Sequence, residues 1–127
     1  MKSSIIYYGI IPLGGSKMND YIINFLKEIM AIDSPSGYTK EVIHHCQKEA
    51  ENLGSHTHQT NKGNLEIYVE GQDDYTVGFC GHVDTLGLMV RSIKSDGTLA
   101  FTNVGGPIIP TLDGEYCRIH TRSGKCY

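Results

Sequence analysis

The chain has 127 residues and a formal net charge of −3, with 39% apolar and 20% charged residues. This balance is typical of one folded globular domain and excludes an intrinsically disordered chain. The acidic balance argues against a nucleic-acid-binding protein, which would carry a basic face. No apolar run approaches the ~20 residues that a membrane-spanning helix needs.

Residues 1–17 carry no helical or strand period, and glycine and proline interrupt their apolar part. A secretory signal would have a continuous apolar core instead. Because an amphipathic segment starts directly after Met18, we predict that Met18 is the natural start and that residues 1–17 are a non-native upstream extension. The cysteines match no paired C-x-x-C zinc arrangement, which favours reduced thiols and a cytoplasmic protein; they are Cys46, Cys80, Cys117 and Cys126.

Two helices are predicted in the first half of the chain. Residues 19–31 place apolar side chains at helical spacing, with Asn19 or Asp20 as the cap, and the sequence DSPSG then ends the helix. A second apolar face predicts a helix over residues 39–53. Gly54 follows at the position of a C-terminal glycine cap.

Short strands follow the helices. The sequences SHTHQT and LEIYVE flank the turn NKGN at 61–64, and LEIYVE alternates as a strand does. Residues 75–84, YTVGFCGHVD, predict a central sheet strand buried on both faces, with Cys80 as a small apolar residue inside it. Residues 86–93 and 98–104 flank the turn KSDG and predict a hairpin. After a glycine- and proline-rich loop, the sequence EYCRIHTR predicts another strand.

His82 and Asp84 stand at the end of the apolar segment 75–84. Residues i and i+2 of a strand share a face, so an imidazole and a carboxylate could join one metal site there. Gly81 and Gly87 would leave room for backbone or substrate. In an open α/β sheet, chemistry collects at the carboxyl ends of the strands. The spacing alone is also compatible with a structural hydrogen-bonded pair.

The remaining candidate side chains favour structural roles. Neighbours on a helix diverge and rarely chelate one metal, so the pair His44-His45 is predicted to lie at the surface or rim. His56 and His58 have strand spacing but no nearby carboxylate or cysteine, which favours a solvated strand face. The serines of SPSG, residues 34–37, lie in no G-x-S-x-G sequence, which argues against a nucleophilic serine.

The sequence GFCGHVDTLGLMVRSIKSDGTLAFTNVGG, together with DGEYCRIHTRSGKCY, resembles the glutamyl and deblocking aminopeptidase family of dinuclear metallopeptidases. The similarity runs from about Met18 to the C terminus, through SPSGYTKEV and KGNLEIYV. The run H-V-D-T-L-G-L-M-V is much more specific than H-x-D alone. Many family members carry an acidic residue directly after the aspartate, where this chain has Thr85 and then Leu86. This departure bears on substrate preference.

By this resemblance His82 aligns with a metal ligand. Asp84 aligns with the catalytic carboxylate that orients the metal-bound histidine. The cofactors implied are two divalent metal ions, zinc or cobalt, which activate a bridging water and polarise the scissile carbonyl. The family's other ligands and its glutamate general base come later in a full-length chain. We therefore expect an N-terminal fragment that covers about the first third of such an enzyme and is inactive alone.

The resemblance also implies a fold and an assembly. In the family, an α/β catalytic domain of zinc-peptidase type, with a mixed sheet, is interrupted by an inserted β-barrel dimerisation domain, and members build tetrahedral dodecamers. Residues 18–87 would be the N-terminal part of the catalytic domain. Residues 88–127 would be the opening strands of the barrel, which agrees with a chain that stops inside a hairpin.

The function implied is removal of N-terminal residues from peptides by a metal-dependent aminopeptidase. Its partners would be peptide substrates and further copies of itself, without nucleic acid or membrane. One alternative is an amidohydrolase of small acylated amino acids. Another, from a different class, is a non-catalytic assembly or binding module that uses the β-barrel part. A downstream reading frame with paired glutamates and a C-terminal histidine would favour the enzyme.

Overall fold

A computed structural model describes residues 15–72 and 74–127. Two α-helices and two antiparallel sheets of two strands each form within these ranges, which confirms a mixed α/β class. The chain divides into two compact units: one ends at Asp33 and resumes over Thr39–Val83, and the other comprises Ser34–Tyr38 and Asp84–Tyr127. Of the extension expected at residues 1–17, residues 1–14 lie outside the described ranges. Within those ranges, no helix has the length and apolar character to cross a membrane.

The first helix of the first unit, α1, spans Gly15–Ala31. It begins earlier than predicted, and Asn19 and Asp20 lie inside it rather than at its cap. The physical reason is that residues 16–18 contain neither proline nor glycine, so nothing in them stops the helix from extending. The apolar face was predicted correctly in its spacing, but none of its side chains is buried.

The second helix, α2, spans Lys40–Asn52 and confirms the prediction over residues 39–53. Its C terminus is closed by the predicted glycine cap. The Gly54 amide donates to the Glu51 carbonyl at 2.9 Å, and the Ser55 amide donates to the Ala50 carbonyl at 3.0 Å. This pair of bonds is the Schellman arrangement, and it requires the left-handed backbone that Gly54 adopts at φ +82°.

Polar and aromatic contacts join α1 to α2. The Tyr21 hydroxyl donates to Glu49 Oε1 at 2.7 Å. Because ionised tyrosine would lose this bond and face a carboxylate, Glu49 raises the pKa of Tyr21 to about 12. Phe25 stacks on the half-buried His45 with 5.6 Å between ring centroids, and His45 Nε2 lies 3.1 Å from Glu28 Oε2. The predicted rim position of the histidine pair agrees with this packing.

A small hairpin completes the regular structure of the first unit. Strands β1, His56–Gln59, and β2, Leu65–Tyr68, pair antiparallel with His56 opposite Tyr68. The predicted turn between them includes Gly63 at φ +89°, and the Gly63 amide donates to the Thr60 carbonyl. His56 and His58 are exposed, which confirms a solvated strand face.

The central strand predicted over residues 75–84 is wrong. None of these residues is in a strand, Phe79 is 94% exposed, and Cys80 is exposed rather than packed inside a sheet. A strand needs backbone partners along its edges. Among the described residues of the first unit, β1 and β2 pair only with each other, so no described strand lies beside the apolar run 75–83. The apolar composition of this run favours burial, but it does not supply the backbone partners that a strand needs.

The second unit is built on the predicted hairpin. Strand β3, Gly87–Ile93, pairs antiparallel with β4, Leu99–Val104, and a bulge lies between Val90 and Ser92. At the turn, Asp96 Oδ1 accepts bonds from the backbone amide and the hydroxyl of Thr98. These donors favour the ionised carboxylate and lower the pKa of Asp96.

The strand predicted for EYCRIHTR, residues 115–122, is wrong, because these residues form only an isolated bridge. Pairing begins only at Ile119, which exchanges backbone hydrogen bonds of 2.9 and 3.1 Å with Tyr127. His120 bridges Cys126, while Tyr116 is fully exposed. The backbone partners of this segment lie at residues 125–127. The preceding loop also contains a 3-10 helix, Ile109–Leu112, that was not predicted.

All four cysteines are free thiols, as predicted. Cys46 is the half-buried one, and burial raises the pKa of its thiol because the thiolate would lose hydration. The other three are exposed.

Gly54 and Gly71 make a matched test of the helix cap. A Cβ at either position meets nothing within 4 Å, but only Gly54 has a left-handed backbone. Gly54→Ala is expected to lower the free energy of unfolding by about 1–2 kcal/mol, whereas Gly71→Ala should leave it equal or slightly higher. Chemical denaturation followed by helix circular dichroism measures both. Equal effects of the two changes would contradict the cap.

Exposed apolar side chains generate a second prediction. Among the described residues the buried apolar core is Val42 and Ala50, while Phe79 and Val69 are 94% and 81% exposed. Such surface favours association between copies. The chain alone is expected to elute above its monomer mass of 14.0 kDa, and Phe79→Ser should shift it towards monomer. Size-exclusion chromatography with light scattering decides this; a concentrated, monodisperse monomer would contradict it.

Candidate functional site

The two residues singled out in the sequence lie on either side of the boundary between the units. His82 belongs to the first unit and is exposed, while Asp84 belongs to the second and is half-buried. The argument that both share the face of one strand is wrong, because residues 75–84 form no strand. The space expected at Gly81 is present, since a Cβ there would meet nothing within 4 Å.

A tight turn in the second unit carries the SPSG sequence. The Tyr38 amide donates to the Pro35 carbonyl at 2.7 Å, which closes a four-residue β-turn. Gly37, the third residue of this turn, has φ +88°. A type II turn requires a positive φ at its third residue and a negative φ at its second residue. Ser36 is therefore held at the second position of the turn.

A parallel bridge fixes this turn against the residues that follow Asp84. The Thr85 amide donates to the Ser34 carbonyl at 2.8 Å, and Pro35 pairs with Thr85. Ser34 is completely buried. The bridge leads directly into β3.

Gly87 permits the close approach of the two segments. A Cβ built on Gly87 would lie 2.6 Å from the Cβ of Pro35, closer than two such atoms can stand. The glycine was expected to leave room for backbone or substrate, but the group that it admits is the ring of Pro35 in the SPSG turn.

The bridge brings the Ser36 hydroxyl to the carboxylate of Asp84. Ser36 Oγ donates to Asp84 Oδ2 at 2.5 Å, across a separation of 48 residues in the chain. Sequence reasoning considered Ser36 only as a nucleophile and missed this contact. No local signal could have found it, because neither residue is special without the bridge between their neighbours.

A second polar contact starts from the same turn. The rings of Tyr38 and His120 have centroids 5.0 Å apart, and the Tyr38 hydroxyl lies 3.4 Å from His120 Nδ1. Both side chains are exposed. The turn therefore contacts His120, which bridges Cys126, as well as the start of β3.

The described residues do not fit a complete metal site. They contain no group of three or more His, Cys, Asp or Glu side chains placed to hold a metal ion. A catalytic zinc takes three protein ligands, and structural sites take four. His82 and Asp84 could supply at most part of such a set.

Comparison with known sequences places both residues inside a recognised segment. A family model described as M42 glutamyl aminopeptidase matches residues 63–127. The Bacillus subtilis (strain 168) protein named "Putative aminopeptidase YhfE" is 39% identical over 106 residues, which are 83% of this chain and 31% of that protein. The chain thus spans about a third of the length of this relative.

Gly87 and Gly106 test the packing beneath the candidate site. Gly87→Ala forces a methyl group against Pro35, whereas a Cβ at Gly106 meets nothing within 4 Å, and neither glycine has a left-handed backbone. We expect Gly87→Ala to cost about 1–3 kcal/mol and to speed hydrogen exchange of the Thr85 amide. Gly106→Ala should change neither. Amide exchange by NMR or mass spectrometry measures this, and unchanged Thr85 protection in the Gly87 variant would refute the close contact.

Proposed function

Because the chain belongs to the M42 glutamyl aminopeptidase family, we propose that it is part of an aminopeptidase that removes N-terminal residues from peptides. The observation that carries this proposal is the family match over residues 63–127, which includes His82 and Asp84. The relative from Bacillus subtilis, itself named an aminopeptidase, supports the same reaction class.

His82 is the metal ligand that this chain contributes, and Asp84 is the carboxylate that supports it. Imidazole nitrogen is a favoured ligand for zinc and similar divalent ions. Carboxylates next to metal-binding histidines commonly fix ring orientation. The assignment of both residues rests on the sequence around them within the matched segment. Zinc or cobalt, as a pair of ions, is the cofactor proposed for the complete protein.

The chain of 127 residues is inactive alone. A single imidazole cannot hold a catalytic metal against water and buffer, since tight sites use three or four protein ligands in fixed geometry. The described residues contain no such group. The other ligands and the general base would lie outside the third of the Bacillus subtilis relative's length that this chain matches. The free thiols support a cytoplasmic protein.

Exposed apolar side chains of the second unit support a role in assembly as well as in catalysis. Val90 lies opposite Phe101 across the hairpin and Leu88 lies two residues before Val90, so these three side chains share one sheet face. They are 46%, 45% and 38% exposed, respectively. In this proposal, residues 88–127 form the first strands of a barrel through which copies associate. The alternative is a purely non-catalytic module. No observation favours the amidohydrolase of acylated amino acids.

Substitution of His82 and Asp84 tests the proposed function. In the longest gene product that contains this chain, His82→Ala should abolish hydrolysis of aminoacyl p-nitroanilides and lower the bound metal, measured by atomic emission. Asp84→Asn should retain much of the metal and lower kcat about 10–100-fold, as losses of supporting carboxylates do. The chain of 127 residues should show neither activity nor tight zinc binding in calorimetry.

His58 supplies the control, because it is an exposed histidine on β1 outside the proposed site. His58→Ala should keep the unmutated rate and metal content. Full activity of the His82 variant would refute the ligand assignment. Turnover by the chain of 127 residues alone would refute the need for further ligands.

A further inference from the structure

We propose that Ser36 is a positioning residue whose hydroxyl fixes the orientation of the Asp84 carboxylate. The inference rests on the proposed function, in which Asp84 supports the metal-binding histidine. It goes beyond that function because the family match covers residues 63–127, and Ser36 lies outside this segment.

The backbone on both sides of the contact is fixed. Ser36 occupies the second position of a turn closed by the Tyr38 amide and the Pro35 carbonyl at 2.7 Å. Next to Asp84, the Thr85 amide is bound to the carbonyl of Ser34 at 2.8 Å. One backbone hydrogen bond thus joins the residue before Pro35 to the residue after Asp84. The Ser36 hydroxyl and the Asp84 carboxylate are neighbours because of this bridge.

Aspartate needs such a constraint to orient another group. Its terminal torsion is broad, because an sp³–sp² bond has no sharp staggered minima. A hydroxyl that donates to Oδ2 selects one rotation of the carboxylate plane. Each carboxylate oxygen has two lone-pair sites, so accepting this bond is compatible with accepting another. Ser36 therefore limits the direction of the carboxylate without using up its capacity to accept.

The contact is poorly explained by stability alone. Ser36 is exposed and Asp84 is half-buried. A hydrogen bond in such a place contributes little net free energy, because water competes for both partners. The buried part of the arrangement is Ser34, which is held through its backbone carbonyl. Removal of the Ser36 hydroxyl should thus disturb the direction of Asp84 far more than the fold.

The turn at Lys94–Gly97 offers a matched control. The Gly97 amide donates to the Lys94 carbonyl at 3.0 Å, so Ser95 also stands second in a closed turn of the same unit. Ser95 has no part in the proposed site. Ser95→Ala repeats the chemical change made by Ser36→Ala at an equivalent backbone position.

The first arm of the test measures the kinetics of the longest gene product that contains this chain. Ser36→Ala should lower kcat for an aminoacyl p-nitroanilide about tenfold, at the lower end of the range for outer supporting groups, with KM nearly unchanged. Ser36→Thr, which restores a hydroxyl, should recover most of the rate. Ser95→Ala should match the unmutated protein, and the melting temperatures of all forms should agree closely.

NMR of the chain of 127 residues forms the second arm and needs neither metal nor activity. Scalar couplings between Hα and Hβ report the χ1 rotamer of Asp84, and the hydrogen bond requires a single χ1 rotamer because only that rotamer brings Oδ2 to the Ser36 hydroxyl. One rotamer should dominate in the unmutated chain and in Ser36→Thr, and Ser36→Ala should show averaging among several rotamers. Ser95→Ala should leave the couplings of Asp84 unchanged.

The outcomes separate this inference from the proposed function. If Asp84→Asn is slow but Ser36→Ala is as fast as the unmutated protein, the Ser36 proposal fails while the proposed function stands. If no form hydrolyses peptides, the proposed function fails and the couplings of Asp84 decide the role of Ser36. An Asp84 rotamer unchanged by Ser36→Ala would then overturn the inference.

Discussion

The attachment of residues 34–38 to the start of β3 depends on one backbone hydrogen bond, from the Thr85 amide to the Ser34 carbonyl at 2.8 Å. Ser34 is completely buried, and loss of a buried hydrogen bond costs about 1–3 kcal/mol. The other features near Asp84 follow from it. Pro35 can pack on the chain only where Gly87 lacks a side chain, and Ser36 reaches Asp84 because their neighbours are already joined. One bond between distant segments therefore determines the surroundings of the proposed carboxylate.

The parts of this fold that could be read from the sequence are those whose physical cause is local. The glycine cap at Gly54 is fixed by hydrogen bonds within a few residues, and only glycine takes its left-handed backbone without strain. The same holds for the hairpin β3–β4, whose turn has its own side-chain donors and acceptor at Thr98 and Asp96. Helix α2 could also be predicted, because its apolar spacing and its glycine cap indicate the same helix.

The parts that could not be read from the sequence depend on partners far along the chain. Residues 75–84 have the composition of a central strand, but a central strand is defined by its neighbours. In the described part of the first unit, β1 and β2 pair only with each other. Ser36 and Asp84 are separated by 48 residues, and nothing near either predicts the other. Of the candidate site, the sequence predicted His82 and Asp84, from their spacing and from the resemblance to a family. It identified neither the support of Asp84 nor the loss of strand structure around His82.

Asp84 and His82 differ in how the structure orients them for the proposed function. The surroundings of Asp84 are built by backbone and hydroxyl groups of its own unit, so its orientation needs neither metal nor substrate to be established. His82 lies in an exposed segment that forms no strand, so in the proposed enzyme the metal ion and its remaining ligands would contribute to fixing its orientation. Groups fixed before reaction lose no free energy to reorganisation during it. In the proposed enzyme the supporting carboxylate would therefore be preorganised by the fold, whereas the final orientation of His82 would depend on the metal ion and its other ligands.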